Sequence, residues 1–405
     1  MRVRSFQALR PRPDLADRVA SVPYDVVNAA EAAALAAGNP YSLLHVSRSE
    51  IDLPSGADPY SDAVYARAAE EFHRFQKEGI LIRDDAPGLY VYRQIMGDHA
   101  QSGVVACCAV EDYERNVIKK HEKTRRDKED DRTRHIAAVN ANTGPVFLAY
   151  RDRPEIDAIV AAAEAGPPLY DFVSADRIRH TVWPAPECER LAECFGRVPA
   201  AYIADGHHRA AASARVGAER RAANPGHSGA EEYNWFLGVL FPASQLRILP
   251  YNRCVADLNG LTVPQLLKAA SGAFDVEESA TPRPAAPGHV RMYVASQWYG
   301  LSWEPKPARS LVDALDVSVL QDRLLAPVLG IGDPRTSPRI AFVGGIRGPE
   351  ELARLVDSGK AAAAFSMFPV TLDQLMAVSD AGQIMPPKST WFEPKLRSGL
   401  LIHTL

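Results

Sequence analysis

Short apolar runs alternate with amphipathic stretches along the chain, and this alternation predicts strands and helices in turn. Runs rich in Val, Ile, Leu and aromatic residues predict buried strands. The clearest of these runs are 89–95, 102–110, 144–150, 201–204 and 234–241. Residues 59–78 instead repeat their apolar positions at helical spacing, which predicts an amphipathic helix. The segment Leu43-Leu44-His45-Val46 predicts one further short strand.

The same alternation continues through the second half of the chain. The elements predicted there are a hairpin at 290–303, strands at 339–345 and 361–367, and helices at 349–358 and 372–381. Since strands and helices mix throughout, the predicted fold class is α/β, more narrowly mixed α+β. A chain of 405 residues is too long for one ordinary core, and we expect two regions, 1–255 and 256–405.

Composition and charge narrow the class of protein. Hydrophobic residues make up 46% of the chain and charged residues 24%, which is typical of a globular protein in water. The net charge of -4 gives no nucleic-acid footprint, so DNA is not expected as a partner. No apolar run is long enough to cross a membrane and the N-terminus lacks a signal peptide, so we expect a cytoplasmic protein. The five cysteines match no zinc spacing.

A charged segment separates the strand predicted at 201–204 from an Ala-rich helix predicted at 210–223. It consists of Asp205, Gly206, His207, His208 and Arg209. The Asp-Gly pair predicts a tight turn, with Asp205 as the helix N-cap and the three basic residues in the first turn. Cations are unfavourable there because a helix N-terminus already carries partial positive charge. A bound phosphate would compensate, with Asp205 beside it to hold Mg²⁺. The alternative is a surface turn with neutral, solvated histidines.

Residues 119–134 are almost entirely charged, with eight basic and five acidic side chains. Such a run usually forms a solvated helix laced with ion pairs. The functional alternative assigns catalytic roles to His121 and Glu122, which follow a strand and precede the helix. Glu122 would be the general base for a hydroxyl group. Lys123 and the arginines after it would neutralise a polyphosphate. The H-E-x-x-H pattern of a metalloprotease is absent.

A third basic cluster lies near the C-terminus. Two prolines fix the backbone before Lys388 and Ser389, and Lys395 and Arg397 follow. The glycines and the helix of a Walker loop are missing. We expect either a loop that closes on an anionic ligand, with Lys388 and Ser389 binding phosphate, or an ordered C-terminal strand with surface cations.

Four motifs together resemble a bacterial family of unknown function that has been loosely described as similar to the ParB proteins. They are PYDV at 23–26, HEKT at 121–124, ADGHHR at 204–209 and MPPKST at 385–390. The resemblance covers nearly the whole chain. The DGHHR segment is similar to the motif of the wider ParB/sulfiredoxin-like fold. Members of that fold bind nucleotide phosphates at the start of the motif helix, and they include free-serine kinases, sulfiredoxins and CTP-binding ParB proteins.

The resemblance implies a ParB/sulfiredoxin-like core in 1–255 and a second α/β region in 256–405 whose tail closes the site. In the kinases the motif's acid lies near the transferred phosphoryl group and a separate glutamate is the base. Only the motif positions match here, namely Asp205, Gly206, His208 and Arg209. Sulfiredoxins need a cysteine in the turn, where this chain has His207.

We therefore expect a phosphotransferase that uses a nucleotide (ATP or ADP) or pyrophosphate, with Mg²⁺, on a small hydroxyl metabolite such as free serine. The first alternative is a ParB-like nucleotide-binding regulatory protein without metabolic turnover. The second is an interaction scaffold without a ligand site. A homodimer is compatible with the sequence, which does not define the oligomeric state.

Overall fold

A computed structural model describes residues 1–54, 56–279, 281–304 and 309–405. The chain forms two compact units: unit 1 is Met1–Leu246 together with Pro394–Leu405, and unit 2 is Arg247–Glu393. Each unit mixes helices and strands, so the expected mixed α/β class is confirmed. Within the described ranges, no helix is both long and apolar enough to cross a bilayer.

Unit 1 contains the first elements of the chain. Its strands are β1 (Val3–Arg4), β2 (Leu9–Pro11), β3 (Leu81–Arg83), β4 (Tyr90–Met96), β5 (His99–Ala109), β6 (Ile118–Lys119), β7 (Ala141–Asn142), β8 (Val146–Tyr150), β9 (Tyr170–Val173), β10 (Arg179–Pro184), β11 (Ala201–Asp205) and β12 (Trp235–Pro242). Its helices are α1 (Ala16–Val19), α2 (Ala29–Ala36), α3 (Leu44–Ser47), α4 (Asp62–Lys77), α5 (Val110–Glu114), α6 (Arg126–Val139), α7 (Pro154–Glu164), α8 (Cys188–Gly196) and α9 (His207–Ala223).

The main sheet of unit 1 has the strand order β6-β11-β8-β12-β5-β4-β10-β9, with β1 beside β5. The pairs β6–β11 and β8–β12 are parallel, and the remaining pairs are antiparallel. The five clearest predicted strands are confirmed as β4, β5, β8, β11 and β12, because their apolar side chains form the core. The predicted helix at 59–78 is confirmed as α4, which buries Val64, Ala68, Phe72 and Phe75.

The strand predicted at 43–46 is wrong, since this segment forms the short helix α3. The Ser42 hydroxyl accepts a hydrogen bond from the Leu44 N–H (3.3 Å), and the Ser47 N–H bonds to the Leu43 carbonyl (2.8 Å). Leu43 and Val46 pack into the same core cluster, as the i, i+3 spacing of a helix allows. A segment of four residues with three apolar side chains is compatible with either structure, so its pattern alone could not decide.

Unit 2 is built on an antiparallel sheet. Its strands are β13 (Arg247–Leu249), β14 (Tyr251–Val255), β15 (Asp275–Glu278), β16 (His289–Val294), β17 (Gln297–Ser302), β18 (Ile340–Gly344), β19 (Ala363–Met367) and β20 (Trp391–Glu393). Its helices are α10 (Val263–Ala270), α11 (Asp316–Leu320), α12 (Gly348–Asp357) and α13 (Leu372–Asp380). The sheet order is β15-β17-β16-β19-β14-β18, and β13 pairs separately with β20. Residues 247–255, which include β13 and β14, lie in unit 2.

The C-terminal tail belongs to unit 1 because it pairs with the N-terminal part of the chain. Strand β21 (His403–Thr404) is antiparallel to β7. Ile402 exchanges two backbone hydrogen bonds with Leu9 (2.9 and 3.0 Å), and Ser398 does the same with Ser21 (2.9 and 3.1 Å). These contacts hold the residues from Pro394 onward, including Lys395, within unit 1.

One half-buried acid in unit 2, Asp316, gives a pH-dependent prediction. Burial raises the pKa of Asp316 to about 6, although a hydrogen bond from the Gly288 N–H (3.0 Å) opposes the shift. Above that pH the folded protein must carry a disfavoured carboxylate. Asp316→Asn keeps the acceptor oxygen and removes the charge, so it should stabilise the protein by about 1–2 kcal/mol at pH 7–8.

This gain should fade as the pH falls from 6 to 4, because wild-type Asp316 takes up a proton in the folded state, where its pKa is higher than in the unfolded chain. Urea unfolding of the full-length chain across this pH range measures it. The matched change at the exposed Asp313 should alter stability by no more than about 0.5 kcal/mol. A gain at Asp316 that does not depend on pH would contradict the assignment.

Candidate functional site

Parallel pairing of β6 with β11 brings two of the sequence motifs together. Ala201 lies opposite Ile118 and Tyr202 opposite Lys119, so the carboxyl ends of the two strands lie at the same edge of the sheet. The HEKT segment (121–124) follows β6, and the DGHHR segment (205–209) follows β11. Ligands in open α/β sheets commonly bind at such an edge. The two motif segments therefore lie close together in unit 1.

The turn after β11 differs from the prediction in its first residue. The pairing of β11 with β8 is irregular between Ile203 and Asp205, so a bulge precedes the acid and changes the direction of its side chain. The N-cap of α9 is Gly206, with φ 94°, and Asp205 is the last residue of β11. The prediction of Asp205 as N-cap is wrong, because the turn uses a left-handed conformation that glycine adopts readily.

Asp205 is shared between two cations. The Arg209 guanidinium donates to its Oδ2 (2.5 Å), and the Lys395 ammonium donates to its Oδ1 (3.2 Å). Arg209 is buried and also donates to the Pro145 carbonyl. Burial alone would raise the pKa of Asp205, but Lys395 and Arg209 outweigh it and hold that pKa well below its usual range. Since both oxygens have a cationic partner, this geometry does not favour Asp205 as the ligand of Mg²⁺.

Two histidines form a buried pair beside this acid. The His121 and His207 rings meet edge to face, with centroids 4.5 Å apart. Burial lowers the pKa of His121 to about 4, although Asp205 and a hydrogen bond to the Ile203 backbone oppose the shift. Burial and then His121 lower the pKa of His207 well below its usual value. Both imidazoles are therefore neutral at pH 7, and Glu122 offers a carboxylate within 4.8 Å of their ring nitrogens.

A hydrogen bond to His208 connects the end of the HEKT segment to α9. The His208 Nε2 accepts from the Arg125 N–H (3.0 Å), which joins the start of α6 to the start of α9. Each basic residue at the start of α9 is thus accommodated within unit 1: His207 is neutral, His208 accepts a hydrogen bond, and Arg209 is paired with Asp205. An anion would instead meet the backbone N–H groups of the first turn of α9, because Gly206 has no side chain to cap them. The Lys123 side chain is exposed.

A small cavity lies behind Arg209. Its volume is about 30 Å³, and its polar lining includes Tyr24, Arg132, His135, Asn142 and Arg209. The Arg132 guanidinium stacks on the Tyr24 ring at 3.9 Å. A cavity of this size holds one or two water molecules and no nucleotide. A larger concavity of about 400 Å³ is lined by residues of 33–40 with His45, Ile51 and Asp52, and it contains none of the motif residues. The candidate site is therefore identified by the chemical groups that meet there and not by the size of a cavity.

The structure corrects one expectation and gives the place of the PYDV segment. The solvated helix expected in 119–134 is only partly correct, because α6 buries Asp131 and Arg132, which pair with each other (2.8 Å). The N-cap of α2 is Asn28, which forms a capping box with Glu31, and Asp25 lies outside the helix. The PYDV motif accordingly contributes Tyr24 to packing against α6.

Lys388 and Ser389 belong to unit 2. The Lys388 ammonium lies 5.6 Å from the centroid of the Tyr251 ring. Ser389 is buried, and its hydroxyl donates to the Pro386 carbonyl (2.7 Å). Their role in phosphate binding stays a prediction. Lys395, which contacts Asp205, was not among the predicted site residues, because its position in the sequence, 190 residues away, carries no signal of that contact.

The chain belongs to a family described as a protein of unknown function, DUF1015, which matches residues 3–318. The expected membership of an uncharacterised family is therefore confirmed. The relation of the DGHHR segment to ParB proteins stays a prediction. A comparison with curated proteins finds no match.

Several solved structures have a distant likeness to this chain. A free serine kinase in complex with AMP is 11% identical, with a TM-score of 0.37, over 74% of this chain and 91% of that chain. SbnI with a C-terminal truncation, from Staphylococcus aureus, is 10% identical, with a TM-score of 0.39, over 74% and 86%. A conserved hypothetical protein from Pyrococcus furiosus is 13% identical, with a TM-score of 0.37, over 74% and 94%. Both measures are low, so these likenesses assign neither residue roles nor an activity.

The left-handed turn at Gly206 supports the Asp205–Arg209 pair, and this can be tested by substitution. A Cβ at position 206 would lie 3.0 Å from Cζ and Nε of Arg209, in addition to the strain of a positive φ. We expect Gly206→Ala to destabilise the protein by about 2–4 kcal/mol. Chemical denaturation of the full-length protein measures this.

Gly79→Ala is the matched control, because Gly79 also has a positive φ (67°) but has nothing within 4 Å of the added Cβ. It should cost only about 1 kcal/mol. Equal losses for the two variants would mean that backbone strain alone explains the effect and that Arg209 is not disturbed.

Proposed function

We propose that the protein is a phosphotransferase that transfers a phosphoryl group from a nucleotide or pyrophosphate to a small hydroxyl metabolite. The observation that supports this most is the convergence of the HEKT and DGHHR segments at the carboxyl ends of β6 and β11. It places two carboxylates, Glu122 and Asp205, next to the same buried histidine pair. An ionised acid, a candidate base and an uncapped helix N-terminus are the groups that phosphoryl transfer needs for positioning and charge stabilisation.

In this proposal Glu122 removes the proton of the acceptor hydroxyl, since its carboxylate is partly exposed beside His121 and His207. Asp205 orients the acceptor. Arg209 also donates to the Pro145 carbonyl, and it holds Asp205 in place from the buried side. The first-turn N–H groups of α9 bind phosphate oxygens.

In this proposal the Lys395 side chain moves when the substrate binds. A lysine is a flexible point charge that binds phosphate readily. When a polyphosphate binds, the Lys395 ammonium would leave Asp205 and contact a phosphate oxygen instead. The exposed Lys123 would add a second positive charge. Mg²⁺ would arrive with the nucleotide, because this ion is held mainly by substrate phosphates with one or two carboxylates. Asp205 would become such a carboxylate only after Lys395 has moved.

Free serine is the first acceptor to test, because the DGHHR segment resembles that of free-serine kinases. ATP, ADP and pyrophosphate are the donors to compare. The reaction would take place in the cytoplasm, where free serine and these phosphate donors are present together.

The proposal is tested by incubating the full-length protein with each donor, Mg²⁺ and a panel of hydroxyl metabolites that includes serine, and following products by ³¹P NMR. We expect one phosphorylated acceptor. Asp205→Asn and Glu122→Gln should each lower its rate of formation by roughly 10²–10⁴-fold, since each removes one charged group that acts in the transition state.

Asp171→Asn is the matched control. Asp171 is also an aspartate paired with an arginine, Arg179 (2.6 Å), but it lies in β9 at the opposite edge of the sheet. This variant should keep its activity within about twofold. Nucleotide binding without any phosphorylated product would contradict the transferase and favour the regulatory alternative.

A further inference from the structure

The buried histidine pair and Glu122 have the composition of a metal site. One ligand atom from each of His121, Glu122 and His207 lies within 4.8 Å of the other two. Two imidazoles and one carboxylate are the protein ligands of many catalytic zinc sites, which keep a further position for water or substrate. Metal–ligand bonds near 2.1 Å place tetrahedral donor atoms about 3.4 Å apart, so small side-chain rotations would complete the set.

The environment of His207 gives a second, independent indication. Only 7% of His207 is exposed, and its Nε2 is buried without a hydrogen-bond partner among the residues that the structure describes. Buried polar atoms are normally satisfied, and an unsatisfied one calls for a specific explanation such as an ion. A cation held by His207 would supply the missing interaction.

The surroundings of His121 fit the same interpretation. His121 is also buried, with 2% exposed, and its ring hydrogen-bonds to the Ile203 backbone. Metal-bound histidines characteristically donate their other ring N–H to a carboxylate or a backbone carbonyl, which orients the ring. The bond to β11 thus holds His121 toward the start of α9, where His207 begins the helix.

We propose that His121, Glu122 and His207 form a binding site for one first-row transition-metal ion, Zn²⁺ or the chemically similar Co²⁺. Imidazole ligands favour these ions, whereas Mg²⁺ and Ca²⁺ prefer oxygen ligands alone. This site differs from the Mg²⁺ considered for Asp205, whose oxygens are engaged by Arg209 and Lys395. The inference does not depend on the proposed phosphotransfer.

Both proposals assign a role to Glu122. A carboxylate that ligates a cation is not free to act as a base, so a bound Zn²⁺ would take Glu122 out of the transfer reaction. Binding is therefore measured without any nucleotide or acceptor. A failure to bind metal and a failure to transfer phosphate are then separate results.

The test uses full-length protein stripped with a chelator and titrated with Co²⁺, followed by its visible absorption, and then with Zn²⁺ in competition. We expect one ion per chain, displaced by Zn²⁺ and not by millimolar Mg²⁺. His121→Ala and His207→Ala should each weaken binding by roughly 100-fold or more, and Glu122→Gln by roughly tenfold.

His227→Ala is the matched control, because His227 also lies beside a glutamate, Glu231 (2.9 Å), but outside the cluster. It should bind the ion like the wild type. His207→Asn, checked by circular dichroism, replaces His207→Ala if the smaller side chain prevents folding. Absence of Co²⁺ binding by the wild type, or equal weakening in the control, would overturn the proposal.

Discussion

The Asp205 carboxylate connects three separate parts of unit 1 at the candidate site. It ends β11, accepts from Arg209 in the first turn of α9, and accepts from Lys395 in the C-terminal tail. Removing one member of a buried ion pair is costly, since the remaining charge is left without compensation. Arg209 in turn donates to the Pro145 carbonyl just before β8. One acid therefore links the end of the strand to the helix and to the tail.

This arrangement also explains how a helix can begin with three basic residues. Burial keeps His207 neutral, and the ion pair compensates for Arg209. His208 accepts a hydrogen bond at Nε2, which requires that nitrogen to be unprotonated. The unfavourable interaction with the helix dipole is relieved without a bound anion. The presence of these residues in the sequence is therefore weaker evidence for phosphate than it first suggests, and the uncapped N–H groups and Lys395 carry that argument instead.

The sequence predicted those features that depend on neighbouring residues. The strand β11, the turn and α9 follow from a local apolar run, a glycine and an Ala-rich stretch. The meeting of His121 with His207 follows from the parallel pairing of β6 and β11, and β6 has only two residues, too few for a pattern. The sequence did not indicate Lys395 as a site residue, because its position is set by backbone pairing of the tail with Ser21 and Leu9. The burial of Arg132 was missed for the same reason: a charged run looks solvated until its partner Tyr24 is known.

The histidine pair constrains what Glu122 can do. A buried neutral imidazole offers one nitrogen as a donor and one as an acceptor, and both need partners. His121 uses the Ile203 backbone for one of these. Next to two such rings, a carboxylate can remain a free base only while no cation occupies the space between their donor atoms. Proton removal and metal binding are thus competing states of the same three side chains, and the occupancy of the ion would decide which chemistry the cluster performs.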